Sequence, residues 1–152
     1  MKISIEDVKK LREKTGAGIA DCRKALEEAN GGFKKAEALL KSRGAEIASK
    51  KKDRATSQGL VETYIHSGGK VGAMVEVNCE TDFVAKTDEF KNLTHEVAMQ
   101  VAAMDPKNVE EFSKQEYIRD SSKTIDDLIK DVIAKVGENI VIKRFIRFEL
   151  GS

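Results

Sequence analysis

Few residues in this chain are of a type and spacing that could do chemistry. The two histidines are His66 and His95. His95-Glu96-Val97-Ala98-Met99 starts like a zinc-protease helix, in which a second His one turn on would complete the ligand pair, but Met99 stands there instead. Cys22 and Cys79 are isolated, with neither a C-x-x-C partner nor a neighbouring His, and read as two buried free thiols. No G-x-x-x-x-G-K phosphate loop followed by Ser or Thr occurs, and Gly16-Ala17-Gly18 lies between helical patterns rather than after a strand. No catalytic residue, metal or cofactor is therefore assigned, and an enzyme is not expected.

What remains is a turn. From Val75 the residues alternate with strand period through Cys79 and then meet polar helix-start signals, with one aromatic, Phe83, between them. An aromatic in such a place ordinarily anchors a core. The functional alternative is that the surrounding elements hold Thr81, Asp82, Phe83 and Val84 out as a rigid tip.

The elements that would mount this turn can be read in order. Ser4 caps a first helix, with Asp7 completing a capping-box pattern, Ile3 and Val8 forming a hydrophobic staple, and Ile5, Val8 and Leu11 making the buried stripe. Thr15 to Gly18 breaks the pattern. A second helix from about Ile19 to Ala29 buries Ile19, Cys22, Ala25, Leu26 and Ala29 and stops at Asn30-Gly31-Gly32. A third, from about Phe33 to Arg43, turns Phe33, Ala36, Leu39 and Leu40 inward and closes at Gly44. Residues 1–46 thus read as a three-helix module. Residues 47–59, which include Lys50, Lys51 and Lys52, are basic and polar without apolar periodicity, and read as a linker. The Lys triplet has no interleaved aromatics on which bases could stack, so direct nucleic-acid binding is not expected.

Residues 60–150 form the second unit. Leu60–His66 and Val71–Asn78 alternate as strands around Ser67-Gly68-Gly69-Lys70, a tight hairpin turn. Phe90, Leu93, Val97, Val101 and Met104 recur at helical spacing until Asp105-Pro106. Residues 109–118 are a weaker helical segment. Thr124 and Asp127 open another helix, with Ile125, Leu128, Ile129, Val132, Ile133 and Val136 as its stripe and Gly137 as its end. Asn139–Leu150 reads as the longest strand, with Ile140, Ile142, Ile146, Phe148 and Leu150 turned to the helices. Val141 and Phe145 lie opposite, joined by Leu60, Tyr64 and Met74 in a face too apolar for solvent, which suggests a second subunit. The fold class is α+β: three helices, then a small antiparallel sheet of about three strands with packed helices.

Composition narrows the partners. The 27 Lys and Arg against 26 Asp and Glu leave a formal charge of +1, so no global field draws the chain to nucleic acid or to an anionic membrane. No apolar run approaches the ~20 residues that span a bilayer. Residues 1–14 mix charged and apolar types, unlike a signal or transit peptide, and a cytoplasmic location is expected.

Three blocks carry a resemblance. The run DVKKLREKTGAGIADCRKALEEANG at 7–31, EVNCETDFVAK at 76–86 and VGENI at 136–140 closely resemble the bacterial elongation factor Ts family, in the family's order and across nearly the whole chain. The resemblance implies that residues 1–46 are a ubiquitin-associated-like helical domain and that the rest is a dimerisation core. It implies a non-enzymatic exchange factor that releases nucleotide from the GTPase elongation factor Tu. The tip at Thr81, Asp82, Phe83 and Val84 would enter the GTPase's G domain and disturb its magnesium site. Arg12, Gly16, Gly18, Ile19 and Ala20 would dock elsewhere on it. Family members often carry Met at the positions of Ile19 and Ala20, so Ala20 offers less contact. This chain lacks the second half of the core and the helical hairpin of longer relatives, and a homodimer presenting two tips is expected. The rival reading is a dimeric adaptor that uses the helical module alone.

Overall fold

A computed structural model of the chain describes residues 2–152. Three helices come first: α1 (Ile5–Thr15), α2 (Ile19–Glu28) and α3 (Phe33–Lys51). Val8, Leu11, Cys22, Ala25, Leu26, Ala29 and Ala36 close one apolar cluster among them, with Ile3, Phe33, Leu39 and Leu40 at its margin. Ser4 Oγ accepts from the Asp7 N–H at 3.0 Å and caps α1, while the Asp7 carboxylate accepts from the Ser4 hydroxyl at 2.6 Å rather than from the backbone. Two residues expected inside are outside. Ile5 is 78% exposed and Ile19 59% exposed; each is the first residue of its helix, and Ile3 takes the packing place expected for Ile5.

Helix α3 overruns its expected stop. Gly44 stays helical, and Ala45 to Lys51 continue the helix as good helix formers. The gain is tertiary: Ala48 is buried in the second apolar cluster rather than the first. Residues 47–51 of the expected linker are therefore helical, and Lys51 Nζ donates to the Gly137 carbonyl at 2.7 Å instead of standing in solvent.

The remainder is built on a three-stranded antiparallel sheet of order β1 (Gln58–Ile65), β2 (Val71–Cys79), β5 (Ile140–Glu149). Gly68 and Gly69 both take positive φ in the β1–β2 turn, where a side chain would be strained. Helices α4 (Asp82–Ala85) and α5 (Asp88–Met104) follow β2, then α6 (Val109–Lys114), a second two-stranded sheet β3 (Glu116–Tyr117) and β4 (Asp120–Thr124), and α7 (Ile125–Val136). The capping box at Thr124 forms with both reciprocal bonds. Val75, Val77, Phe90, Leu93, Val97, Val101, Phe112, Ile125, Ile140 and Ile142 lie in the core. The architecture is α+β.

Three expectations fail in this half. Met104 is exposed, because Asp105 has already turned left-handed and ended α5 there. Residues 109–118 are helical only to Lys114; Tyr117 belongs to the β3–β4 hairpin, which the polar face of α5 pins in place. The Gln100 side chain bonds the Glu116 carbonyl and the Ile118 N–H, and Glu96 accepts from the Tyr117 hydroxyl at 2.6 Å.

Strand β5 is the third failure. Glu76 pairs with Arg144 but Val77 pairs with Ile142, so Lys143 is an extra residue and the side chains change faces across it. Ile140 and Ile142 point into the core, but beyond the bulge it is Phe145 that packs inward, while Ile146, Phe148 and Leu150 face outward. Leu60 and Tyr64 also pack on the core. The open face exists and keeps Val141 and Met74 as expected, but its other apolar members are Val61, Ile65, Ile146, Phe148 and Leu150. Its cross-strand rows include Ile65–Gly72–Phe148 and Thr63–Met74–Ile146.

Candidate functional site

Strand β2 delivers the chain to the end of the sheet at Cys79, and α5 takes it back from Asp88. Between them stand two threonine caps. Thr81 Oγ1 accepts from the Val84 N–H at 3.4 Å and opens α4; Thr87 Oγ1 accepts from the Phe90 N–H at 3.3 Å and donates to the Val84 carbonyl at 2.7 Å. A cap satisfies backbone donors that have no partner inside the helix, so each threonine ends one direction of the chain and starts the next.

The single turn of α4 divides its residues sharply. Val84 and Ala85 are buried in the main core, while Phe83 is 83% exposed. Val84, expected at the tip, is thus its footing and not part of its outer surface. Full burial of a Phe contributes about 1.5–3 kcal/mol, which folding does not recover at Phe83. Asp82 stands beside it, paired with Lys86 at 3.2 Å on the exposed surface.

The base of the tip was not foreseen. Glu138 reaches it from the α7–β5 turn, its two carboxylate oxygens accepting from the Thr81 N–H at 2.9 Å and the Thr81 hydroxyl at 2.7 Å. The neighbouring Asn139 N–H donates to Glu80 at 3.1 Å, and the Asn139 amide donates to the carbonyls of Lys52 and Arg54. Arg54 and Glu80 lie 3.7 Å apart. The available signal was the third block, in which two polar residues sit between a helix-ending glycine and an apolar strand. Cys79 is buried here with its thiol against the Thr81 carbonyl at 3.1 Å; burial, and then the charge of Glu138, push its pKa upward, which makes it a poor nucleophile.

The second group of expected site residues is exposed throughout: Arg12 on α1, Gly16 and Gly18 in the turn, Ile19 and Ala20 opening α2. Gly16 is left-handed and its N–H bonds the Arg12 carbonyl at 2.6 Å. A Cβ there would also strike the end of the exposed Lys135 side chain of α7. The tip and this turn belong to different apolar clusters. The His66 ring is tilted beside Tyr64, its Nδ1 3.1 Å from the Tyr64 hydroxyl, and His95 meets the same ring edge-on. Among the described residues no group of three or more His, Cys, Asp or Glu is placed to hold a metal ion, and no helix is long and apolar enough to cross a membrane.

The family described as Elongation factor TS matches residues 80–152, which contain the tip and its base. Curated relatives match over almost the whole chain. The chain is 46% identical to Elongation factor Ts of Thermoanaerobacter sp. (strain X514), over 195 residues that cover 99% of this chain and 96% of the relative. It is 45% identical to that of Coprothermobacter proteolyticus over 197 residues, all of both chains, and 42% identical to that of Thermotoga maritima over 195 residues, with 100% and 98% coverage. These spans exceed the 152 residues of this chain, so the relatives carry additional residues inside the matched region. With relatives at this identity matched nearly end to end, the chain belongs to the elongation factor Ts family.

Proposed function

We propose that this chain is a guanine-nucleotide exchange factor for elongation factor Tu, acting by contact rather than by covalent chemistry. The observation that carries the reading is Phe83, held out of the core on a turn whose next two residues are buried and whose first is clamped by Glu138. A GTPase holds GDP largely through its phosphate loop and a Mg²⁺ that offsets the phosphate charge, so displacing a metal-supporting helix weakens the whole site. An apolar wedge with a carboxylate beside it suits that task, and the outward surface of the tip is Asp82 and Phe83, with half-buried Thr81 at its base and Val84 beneath.

One Phe is worth about 1.5–3 kcal/mol on burial, which is ten- to a hundredfold in rate. Faster release recruits further contacts, for which Arg12, Gly16, Gly18, Ile19 and Ala20 on the ubiquitin-associated-like module, residues 1–46, are the proposed second docking surface. Linkage requires that the factor lower nucleotide affinity by the same ratio by which nucleotide lowers affinity for the factor. The apolar outer face of the sheet supports a homodimer that works in the cytoplasm and presents two tips.

The test is release of fluorescent GDP from elongation factor Tu on mixing with this chain. Acceleration is expected; none would leave the helical module as a plain adaptor. Sedimentation at micromolar concentration should show a dimer, and a monomer overturns that part.

A further inference from the structure

The proposed activity requires Phe83 to arrive at a fixed angle, since misplacement of about 1 Å in such a contact is costly. Helix α4 supplies only four residues to fix it. The Asp82–Lys86 pair is exposed, and the Thr81 cap orders the turn internally without tying it to the body.

Val84 and Ala85 seat the inner side of the turn in the core, and the polar tie at its first residue, Thr81, comes from Glu138, 57 residues away in the chain. An ionised carboxylate only accepts hydrogen bonds, and both its oxygens receive donors from the one residue, Thr81. Two bonds to a single residue fix its orientation as well as its position, and bonds to a charged acceptor are roughly twice as strong as neutral ones. The Thr81 oxygen then accepts from the Val84 N–H, which passes the constraint across Phe83.

The local fold has no other need of this carboxylate. Helix α7 is already closed by left-handed Gly137, whose N–H bonds the Ile133 carbonyl at 2.8 Å. Strand β5 is already anchored by buried Ile140 and Ile142. The adjoining Asn139 and Gly137 bond the chain leaving α3, at Lys52, Arg54 and Lys51. One three-residue turn therefore holds the tip on one side and the exit of the helical module on the other.

We infer that Glu138 is the positioning residue of the tip: it sets the direction of Phe83 relative to the body and to the chain leaving α3, without touching the partner itself. This rests on the exchange reading above. The experiment compares wild type, Glu138→Ala and Glu138→Gln in full-length protein. GDP release from elongation factor Tu is followed against factor concentration, and amide hydrogen exchange is followed by peptide.

For Glu138→Ala the saturating release rate should fall about tenfold while the half-saturating concentration moves less than about threefold. Faster amide exchange should be confined to residues 80–86. Gln keeps an oxygen for the Thr81 N–H and should recover part of the rate. An unchanged saturating rate overturns the inference. So does loss of protection throughout β2 and β5 with a rate loss that merely follows the unfolded fraction, and so does a Gln variant no better than Ala. Wild type that fails to accelerate release overturns the exchange reading instead, and protection of residues 80–86 in Glu138→Ala then still decides whether Glu138 holds the tip.

Discussion

The core carries two appendages built by the same device and used in opposite ways. In the hairpin β3–β4, Glu96 receives the Tyr117 hydroxyl at 2.6 Å and Arg119 Nε at 2.7 Å. At the tip, Glu138 receives both donors of Thr81. Each appendage is thus pinned by one carboxylate with two donors, and each carries one aromatic. Tyr117 is 9% exposed and belongs to the core, whereas Phe83 projects into solvent. The hairpin spends its aromatic on folding. The tip gives folding only Val84 and Ala85 and leaves Phe83 for a partner, so the two aromatics should separate stability from activity when each is removed.

The largest effect is expected at the hairpin. Tyr117→Ala removes a packed ring and leaves buried Glu96 with one donor fewer, a loss of about 3–5 kcal/mol out of the 5–15 kcal/mol typical of a whole domain. Urea unfolding measures it, and exchange activity per folded molecule should be unchanged. Phe83→Ala should reverse the pattern: GDP release falls about ten- to a hundredfold, while stability moves by less than about 0.5 kcal/mol, as at other exposed positions. A strongly destabilised Phe83→Ala would make both rings structural and erase the contrast.

Tyr117→Phe sharpens the hairpin side through pH. Burial, and then the bond to Glu96, push the Tyr117 hydroxyl well above its ordinary range. A folded-state value above the unfolded one means the unfolded chain loses its proton first, so this contribution is complete below about pH 10 and declines as pH rises beyond it. Tyr117→Phe should cost about 1–2 kcal/mol near neutrality, and its gap to wild type should narrow between about pH 9 and 11. Unfolding measured at both ends checks it; a constant gap would show that the hydroxyl does not titrate against the fold.

How legible the two appendages were in the sequence follows from the range of the interactions that make them. Thr81, Thr87 and the alternation up to Cys79 are local signals, so the strand, the turn and the helix after it could be placed, and with the family resemblance Phe83 could be given an outward role. Glu138 could not be paired with Thr81 by any periodicity, because the bond closes a long tertiary loop. The hairpin was missed for a different reason: β3 has two residues and β4 is polar, so neither shows an apolar pattern, and what holds them is the Glu96 and Gln100 face of α5. The β5 faces were misassigned beyond Lys143 because one extra residue leaves the alternation intact while reversing its sense. Gly44 misled for a fourth reason, since a glycine signals a stop only where the chain needs positive φ, and burial of Ala48 favoured continuing the helix.

The smallest expected effect lies beside the wedge, at Asp82. Its pair with Lys86 is four residues apart on one turn with both side chains more than half exposed, a setting in which ion pairs contribute about 0.2–0.5 kcal/mol. Asp82→Asn should therefore leave stability within about 0.5 kcal/mol of wild type. If the apolar ring does most of the work and the carboxylate only assists at the charged metal site, GDP release should fall by less than about tenfold and more weakly than in Phe83→Ala. The deficit should shrink as salt is raised, because an exposed charge is screened over about 8–10 Å at ordinary ionic strength. A loss as large as that of Phe83→Ala and insensitive to salt would move the action from the ring to the carboxylate, and the tip would then resemble the hairpin after all, with its charged group rather than its aromatic as the part that matters.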